Sequence, residues 1–467
     1  MVNHSIKQMY NKESKILILG SFPSVKSREE GFYYAHPKNR FWKVLSLVLG
    51  ENLPVTVEEK KNMLLKHRIA LWDVIASCDI IGSSDSSIEN VTPNNLLPMI
   101  KESDIKVIYC NGTKAFSLYN KYIYPSLSKE NIINANAVLL PSTSPANAAK
   151  SVDELTNSWR RILTGLKREN FRSAYYSLND YANDIYEKKL YRLALDGGFT
   201  CPNRDGKIGY GGCIFCSAAG SGDFASESGL SIKKQIQSQK ELIKNKLPKT
   251  KKVGYIAYFQ AFTSTYAPVE KLRELYLEAA NNDSIDVISI ATRPDVLPDD
   301  VLKLIEEINN IKPVWVELGL QTIHPKTAEY IRRGYDLKVY NRAVNALKNI
   351  GISQIITHII LGLPGESESM MIKTVKHALK TGSNGLKLSL LHVLKNTDLA
   401  KDYENGLFET MSLDDYARLL KDILGVIPPD TVLHRFTGDG NKKELLAPLW
   451  SGDKKHVLNT INKVLSE

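Results

Sequence analysis

Residues 201–216 read CPNRDGKIGYGGCIFC and hold three of the five cysteines in a chain of 467 residues. Cys201, Cys213 and Cys216 are separated by Gly206, Gly209, Gly211 and Gly212, the composition of a loop that wraps a bound group. Glycine tolerates positive φ and lets amide N–H groups approach sulfur closely. Two metals compete for such thiols. Structural zinc calls for four closed ligands, and no fourth thiol or imidazole lies in the run. A four-iron cube held by three thiolates keeps one iron open, where the amine and carboxylate of a methionine-type ligand can chelate.

Working outward, short apolar runs follow the loop at regular intervals. VGYIAYFQ (253–260), DVISIATR (286–293), PVWVELGLQ (313–321), QIITHIILGLPG (354–365), GLKLSLLHVL (385–394) and VLHRFTG (432–438) read as strands. Helical stretches such as PVEKLRELYLEAANN (268–282) lie between them. Six such repeats predict a partial (β/α)6 barrel, with its site at the C-terminal ends of the strands. Upstream, KILILGS (15–21), IALWDVI (69–75), KVIYC (106–110) and AVLLP (137–141) alternate with helical segments in the same way. They predict a three-layer α/β domain around a central parallel sheet. The charged stretch LKRENFRSAYYS (166–177) lacks apolar periodicity, which places the junction there and divides the chain into 1–166 and 167–467, with the barrel core at about 174–400.

The composition is that of an ordered protein, with 43% hydrophobic and 24% charged residues. No run of 18 apolar residues and no signal-like N-terminus is found, so the reading is a cytoplasmic protein without membrane contact. Five cysteines do not make a secreted disulfide framework. The net charge is +10, and residues 1–166 carry half of that excess in about a third of the length, which suits a polyanionic partner.

The run LDGGFTCPNRDGKIGYGGCIFC (195–216) resembles the cluster-binding loop of the YhcC-type branch of radical SAM proteins, related to the Elongator catalytic subunit. FQAFTSTYAP, ATRPD, VELGLQTIH, HIILGLPGE, RFTGDG and APLWSGDKK follow in the matching order. The resemblance implies a 4Fe-4S cluster on Cys201, Cys213 and Cys216, S-adenosylmethionine (SAM) as cosubstrate, and an electron donor such as flavodoxin or ferredoxin. It also implies SAM contacts from Gln260, Glu317, Gly362 and Pro364, and tRNA or another nucleic acid as a candidate radical substrate. Gln260 stands where many radical SAM proteins carry a Gly-Gly-Glu stretch. Glu317 lies among apolar residues and needs a partner; Arg293 and Arg332 are the alternatives to a SAM contact. His358 and His392, on strand runs, read as core histidines.

In the first module, GSFPSVKSREEGFYYAHPKNRFW (20–42) is dense in aromatic and basic residues. It reads either as an aromatic mini-core or as a base pocket, since enzymes acting on a base in a duplex flip it out and stack it on a ring. With LWDVIASCDIIGSSDSSI (71–88) and LPSTSPANAA (140–149), it resembles the hypoxanthine-DNA (deoxyinosine) glycosylase branch of the uracil-DNA glycosylase superfamily. That resemblance implies DNA as partner and assigns Asn39 to orient water. It makes Phe22 and Tyr34 stacking rings, gives His36 to the leaving base, and lays Ser142, Ser144 and Pro145 against the DNA. The acid that uracil glycosylases place after the first strand is absent from GSFPSVKS, and the late loop lacks a histidine. The alternative for Asn39 is to cap the helix that begins at Arg40-Phe41-Trp42, a role that suits asparagine. The alternative function is a catalytically inactive nucleic-acid-binding module that delivers the radical enzyme. Asp73 and Asp85 stay without a role, and Cys78 and Cys110 read as buried small hydrophobes.

Overall fold

The structure, a computed structural model, describes residues 1–82, 85–129, 136–167, 175–217, 229–248, 252–437 and 443–466. The junction at 168–174 and the GDG of the RFTGDG motif (438–440) lie outside the described residues. The chain divides into two compact units, Met1–Phe171 with Pro428–Asp430, and Arg172–Ile427 with Thr431–Glu467.

The first unit opens with β1 (Val2–Asn3) and β2 (Ile16–Gly20), followed by β3 (Ile69–Asp73), β4 (Ile75–Asp79), β5 (Glu89–Pro93), β6 (Val107–Asn111) and β7 (Ala137–Leu140). Four of these form a parallel sheet in the order β3-β2-β6-β7. Alternate side chains of a strand point to opposite faces, and here the two faces feed separate cores. Ile16 and Ile18 pack with Trp42 and Trp159, whereas Leu17 and Leu19 pack with Met99 and Tyr119. A strand buried on both sides reads as an uninterrupted apolar run, which is why KILILGS was legible. Helices cover both faces, giving the expected three layers. Cys78 and Cys110 are wholly buried in the second of these cores.

A second sheet, β1-β4-β5, is antiparallel and escaped the sequence pattern. β1 has two residues, and β5 (ENVTP) is polar and ends in proline.

The second unit holds β8 (Tyr176–Ser177), β9 (Lys189–Leu195), β10 (Val253–Phe259), β11 (Val287–Thr292), β12 (Val314–Gln321), β13 (Gln354–Leu361), β14 (Gly385–Leu390) and β16 (Val432–Arg435). They form one open, curled parallel sheet in the order β8-β16-β14-β13-β12-β11-β10-β9. A short pair, β15 (Val393–Leu394) and β17 (Leu445–Ala447), lies apart from it. The six runs read from the sequence are all strands of this sheet, and β8 and β9 add to it. The first strand-helix repeat begins at β9, one strand earlier than the sequence pattern placed it, so that six units run from β9 to the helix Leu413–Val426 and β16 follows them.

One face of this sheet packs against the helices through residues such as Leu193, Phe259, Ile290, Leu318 and Leu388. The opposite face carries Arg192, Tyr258, Ser289, Glu317, His358 and Lys387, at alternate positions of β9 to β14. Charged residues set into apolar strands at period two mark the face that lines a site.

Candidate active sites

The cysteine run leaves the C-terminal end of β9, where the loops of a strand-helix barrel gather. Its backbone is folded on itself: Arg204 N donates to Cys201 O (2.8 Å), Ile208 N to Pro202 O (2.8 Å), Gly212 N to Asn203 O (2.8 Å) and Cys216 N to Cys213 O (3.0 Å). Gly206, Gly211 and Gly212 take φ of 92°, 81° and 83°, which a side chain would resist. Asn203 is 4% exposed. Its Nδ2 donates to Arg332 O at 2.6 Å and lies 3.6 Å from Cys213 Sγ, tying the loop to the segment after β12.

Cys201, Cys213 and Cys216 line a cavity of about 560 Å³ together with Gln260, Glu317, His358, Lys387 and His392. A hydrogen bond from the Cys216 thiol draws Cys213 down to about 7, and Arg293, Asn203 and Arg204 add to the effect against burial. Cys216 is correspondingly pushed up. Among the described residues no three His, Cys, Asp or Glu side chains converge on a point where one metal ion would sit. A closed zinc site needs four ligands within about 2.3 Å of one ion, whereas the loop supplies three thiols. Three thiols lining one cavity, with Cys216 hydrogen-bonded to Cys213 and Arg204 and Arg293 acting on the latter, suit a cluster that takes three thiolates.

Deeper in the cavity, Glu317 is fully buried and receives five neighbours. His358 Nε2 lies 2.7 Å from Oε2, the Tyr258 hydroxyl donates at 2.9 Å, Lys387 Nζ at 3.0 Å, and Ser289 donates to Oε1 at 3.2 Å. Arg192 stands 3.5 Å away. Lys387 leads the charges that overcome burial and hold the Glu317 carboxyl well below the usual range. Burial, with Lys387 beside it, lowers His358 to about 4.

The partners expected for Glu317 are corrected here: Arg293 pairs with Asp295 at 2.8 Å and Arg332 with Asp398 at 2.7 Å. Gln260 lines the cavity. Gly362 and Pro364 are not among its lining residues; Met411 Sδ would stand 3.2 Å from a Cβ at Gly362. Their neighbours Ile359 and Ile360 line it instead. His358 is a partner of Glu317, and His392 lines the wall.

In the first unit the stretch after β2 folds back on the unit's own core. Phe22 is buried, edge-on to His4 at 5.9 Å and under the Arg28 guanidinium at 5.6 Å. Tyr34 adopts φ 53° and stacks on Phe41 at 3.9 Å, so one face of its ring is already covered. His36 is exposed, and its Nδ1 accepts from Lys38 N. Asn39 Oδ1 accepts from Phe41 N at 3.0 Å, a local turn bond just ahead of the helix Phe41–Leu49; the N-cap position itself is held by Arg40, with no side-chain cap, so the capping role expected for Asn39 is corrected.

Ser142 and Ser144 are half-buried and Pro145 is exposed. Arg40 joins this late loop to the early one: its guanidinium donates to the carbonyls of Ser144 and Asn147, both at 2.9 Å, and also to that of Lys150. Asn111, at the end of β6, fixes Thr143 through two hydrogen bonds of 2.9 and 3.0 Å. Asp73 supplies a buried acid near the loop that lacks one in sequence, at the end of the adjacent strand and 2.9 Å from His4 Nε2. Asp85 is exposed and accepts from the Ser21 hydroxyl at 2.6 Å.

Sequence reasoning missed Arg40, Asn111, Asn203, Arg192 and Lys387. The last two carried a signal, a cation inside the apolar runs KLYRLAL and GLKLSLL.

Family comparisons agree with the two-unit geometry. The model for the uracil DNA glycosylase superfamily matches residues 8–164, that for the radical SAM superfamily residues 201–378, and that for the radical SAM C-terminal domain residues 383–467. The chain is therefore a radical SAM superfamily protein with a uracil DNA glycosylase superfamily domain at its N-terminal side, and it belongs to the family that contains YtqA and YhcC. YtqA of Bacillus subtilis is 47% identical over 297 residues, 63% of this chain and 91% of YtqA. YhcC of Escherichia coli K12 is 37% identical over 294 residues, 62% of this chain and 93% of YhcC. The hypoxanthine DNA glycosylase of Methanosarcina acetivorans is 38% identical over 119 residues, 25% of this chain and 74% of that protein. Radical SAM proteins bind a 4Fe-4S cluster and SAM. No helix among the described residues is long and apolar enough to cross a membrane.

Proposed function

We propose that the chain joins two enzymes: a DNA glycosylase that releases hypoxanthine from deoxyinosine, with uracil as a second base, and a radical SAM enzyme. The observation that carries the second assignment is the set of three thiols on one glycine-rich loop in the wall of a single cavity.

Cys201, Cys213 and Cys216 would hold the cluster, with Arg204 and Arg293 favouring the thiolate form of Cys213. Bound together, cluster and SAM supply the one-electron cleavage of the sulfonium to methionine and a 5′-deoxyadenosyl radical. The chain's own residues prepare the space. Phe215, Phe262, Ile360, Leu390 and Leu391 shield it from water, Asn203 fixes Cys213, and Gln260 stands at the end of β10 for the methionyl group. Glu317, with its oxygens shared among five neighbours, keeps Lys387 and Tyr258 in place. Flavodoxin or ferredoxin is the electron donor in this reading. Anaerobic reconstitution tests it: about four irons per chain and reductive SAM cleavage, both lost in Cys213→Ala, support the assignment, and one bound zinc without iron ends it.

The glycosylase reading rests on the pairing of residues 36–40 with 142–150 through Arg40, beside Asn39. In it Asn39 orients water through the part of its amide not taken by Phe41 N, which serves if the glycosidic bond is largely broken before attack. The hydrogen bond from Phe41 N to Asn39 Oδ1 favours the alternative, a nucleic-acid-binding module without catalysis. A duplex containing inosine separates them. Alkali-labile sites that vanish with Asn39→Ala support base excision, whereas binding without base release supports the second reading. Comparing modified nucleosides in tRNA and DNA of a deletion strain and its parent addresses the radical substrate.

A further inference from the structure

Residues 231–252, SIKKQIQSQKELIKNKLPKTKK, hold eight lysines against one acid, Glu241, so these 22 residues carry +7 of the chain's net +10. Residues 167–467 carry +5 in all, and the rest of that part is therefore net negative. Lys249 and Lys251 lie outside the described residues. The other six lysines stand on the helix Ile232–Ile243, on the turn Lys244–Lys246 and at the entry to β10.

Lys233, Gln237, Lys240 and Lys244 follow one another at i, i+4, i+7 and i+11, which sets them on one face over about 16 Å. Lys233, Gln237 and Lys244 are exposed, as are Lys234 and Lys246. Tyr191 and Tyr255 are register partners on β9 and β10, and each ring holds an ammonium. Lys189 Nζ lies 5.1 Å from the centre of Tyr191, and Lys240 Nζ 4.9 Å from that of Tyr255. Cations fixed in this way lose less freedom when a ligand arrives. At the helix start Gln235 binds Asp196 in both directions, accepting from its N–H at 2.9 Å and donating to its carbonyl at 2.8 Å. Asp196 follows β9 and leads into the cysteine loop. The stripe of cations therefore begins where that loop leaves the sheet and passes beside β10.

A basic helix that anchors to a membrane needs a free apolar face. Here Ile232, Gln235 and Ile236 are buried, the two isoleucines in the core of the unit. A merely solvated face mixes acids with its bases. Elsewhere in the unit exposed cations find carboxylates, as Arg273 does in Glu307 and Arg418 in Asp415. Among the described residues of 231–252 only Lys244 has one, Glu241 at 3.3 Å. Clustered cations with few acids among them are the footprint of a polyanion.

We infer that this face binds the phosphate backbone of a single-stranded nucleic acid and leads the strand to the cavity. The strand is single because a cavity of about 560 Å³ admits an unstacked base and not a duplex. This rests on the radical SAM reading and adds to it the surface that holds the substrate.

The test titrates the anaerobically reconstituted full chain with a labelled oligouridylate of about 20 nucleotides, followed by fluorescence anisotropy between about 50 and 300 mM salt. Log affinity should fall against log salt by about 0.7 for each phosphate held. Lys233→Gln/Lys240→Gln/Lys244→Gln should flatten that slope by about 2 and weaken binding at least about tenfold at the lowest salt. Glutamine keeps the helix propensity of lysine. If the triple variant loses far-ultraviolet ellipticity, Lys233→Gln/Lys244→Gln carries the comparison, with a flattening of about 1.4. An inosine-containing duplex, the ligand of the first unit in the reading above, and polyglutamate are titrated alongside; the duplex should lose less in the variant than the strand does. Unchanged slope and affinity, an equal loss for the duplex, or polyglutamate binding as tightly as the strand overturns the proposal, the last by showing an acidic protein as the partner. Reductive SAM cleavage is measured separately on the wild type, and its absence ends the radical reading while the slopes still decide the binding face.

Discussion

His358 Nε2 and Glu317 Oε2 lie 2.7 Å apart on adjacent strands of one parallel sheet. Burial holds this imidazole at about 4, and Lys387, ahead of the other charges, keeps the carboxyl well below its ordinary range against burial. His434, also buried, is lowered in the same direction.

These shifts fix how stability varies with acidity. An unfolded chain takes up protons on its histidines near 6.5 and on its carboxylates near 4.5, while the folded groups stay neutral and ionised, respectively. The contribution of these groups to stability is therefore full above about pH 6.5 and falls as pH drops toward 4. We expect the second unit to lose ~2 kcal/mol, or roughly 4–8 °C in melting temperature, between pH 7 and 4.5. Calorimetry of wild type and His358→Gln checks this. The variant should show the shallower dependence, and equal slopes would contradict it.

Gly20 ends β2 against an acid. A Cβ there would run into Asp73 Oδ1 and stand 3.1 Å from the Tyr34 hydroxyl. Gly20→Ala should destabilise the first unit by ~1–3 kcal/mol through overpacking, read as an earlier denaturant transition, with the iron content of the second unit unchanged. A midpoint equal to wild type would show that Asp73 can move aside.

Arg40 satisfies carbonyls of Ser144, Asn147 and Lys150. Arg40→Ala removes these charge-assisted bonds, each worth ~1.5–3 kcal/mol at most. Residues 142–150 should exchange amide hydrogens at least about tenfold faster, and affinity for duplex DNA should fall with them. Unchanged protection would mean that Asn111 alone holds the loop through Thr143.

Asn203→Leu removes the donor that reaches both Arg332 O and Cys213 Sγ. An unsatisfied buried carbonyl costs ~1–3 kcal/mol, so the loop should retain iron less well during chelator challenge. Asn203→Asp, which keeps the size but brings a negative charge to the sulfur, should lower the reduction potential of whatever iron remains. Potentiometric titration followed by electron paramagnetic resonance reads that shift.

The legible parts of this protein are those whose chemistry lies close together in the chain. β2, β6 and β13 are apolar runs buried by their neighbours, and the cysteines share a single loop. β9 was missed because KLYRLAL places Lys189, Tyr191 and Arg192 among its apolar residues, and a strand with one face on a charged cavity loses the apolar continuity that identifies its neighbours. The partners of Glu317 were missed for another reason. Arg192 and Lys387 come from β9 and β14, and only the curl of the sheet makes them neighbours. Nearby arginines in sequence, such as Arg293 and Arg332, find carboxylates of their own. The bonds from Arg40 to the late loop are likewise long-range, and the turn bond of Asn39 to Phe41 N, two residues on, replaces the cap that its place ahead of the helix suggested.

The position of the cysteine loop directly after β9 bears on how the protein is made. Synthesis runs from the N-terminus, and domains gain structure as they emerge. The three thiols leave the ribosome while His358, Lys387 and Arg435, which complete the cavity around them, have yet to be translated. A nascent chain thus presents all three thiols before the strands that complete the cavity around them exist, so whatever fills the cysteine loop can meet it ahead of the residues that will line the opposite wall.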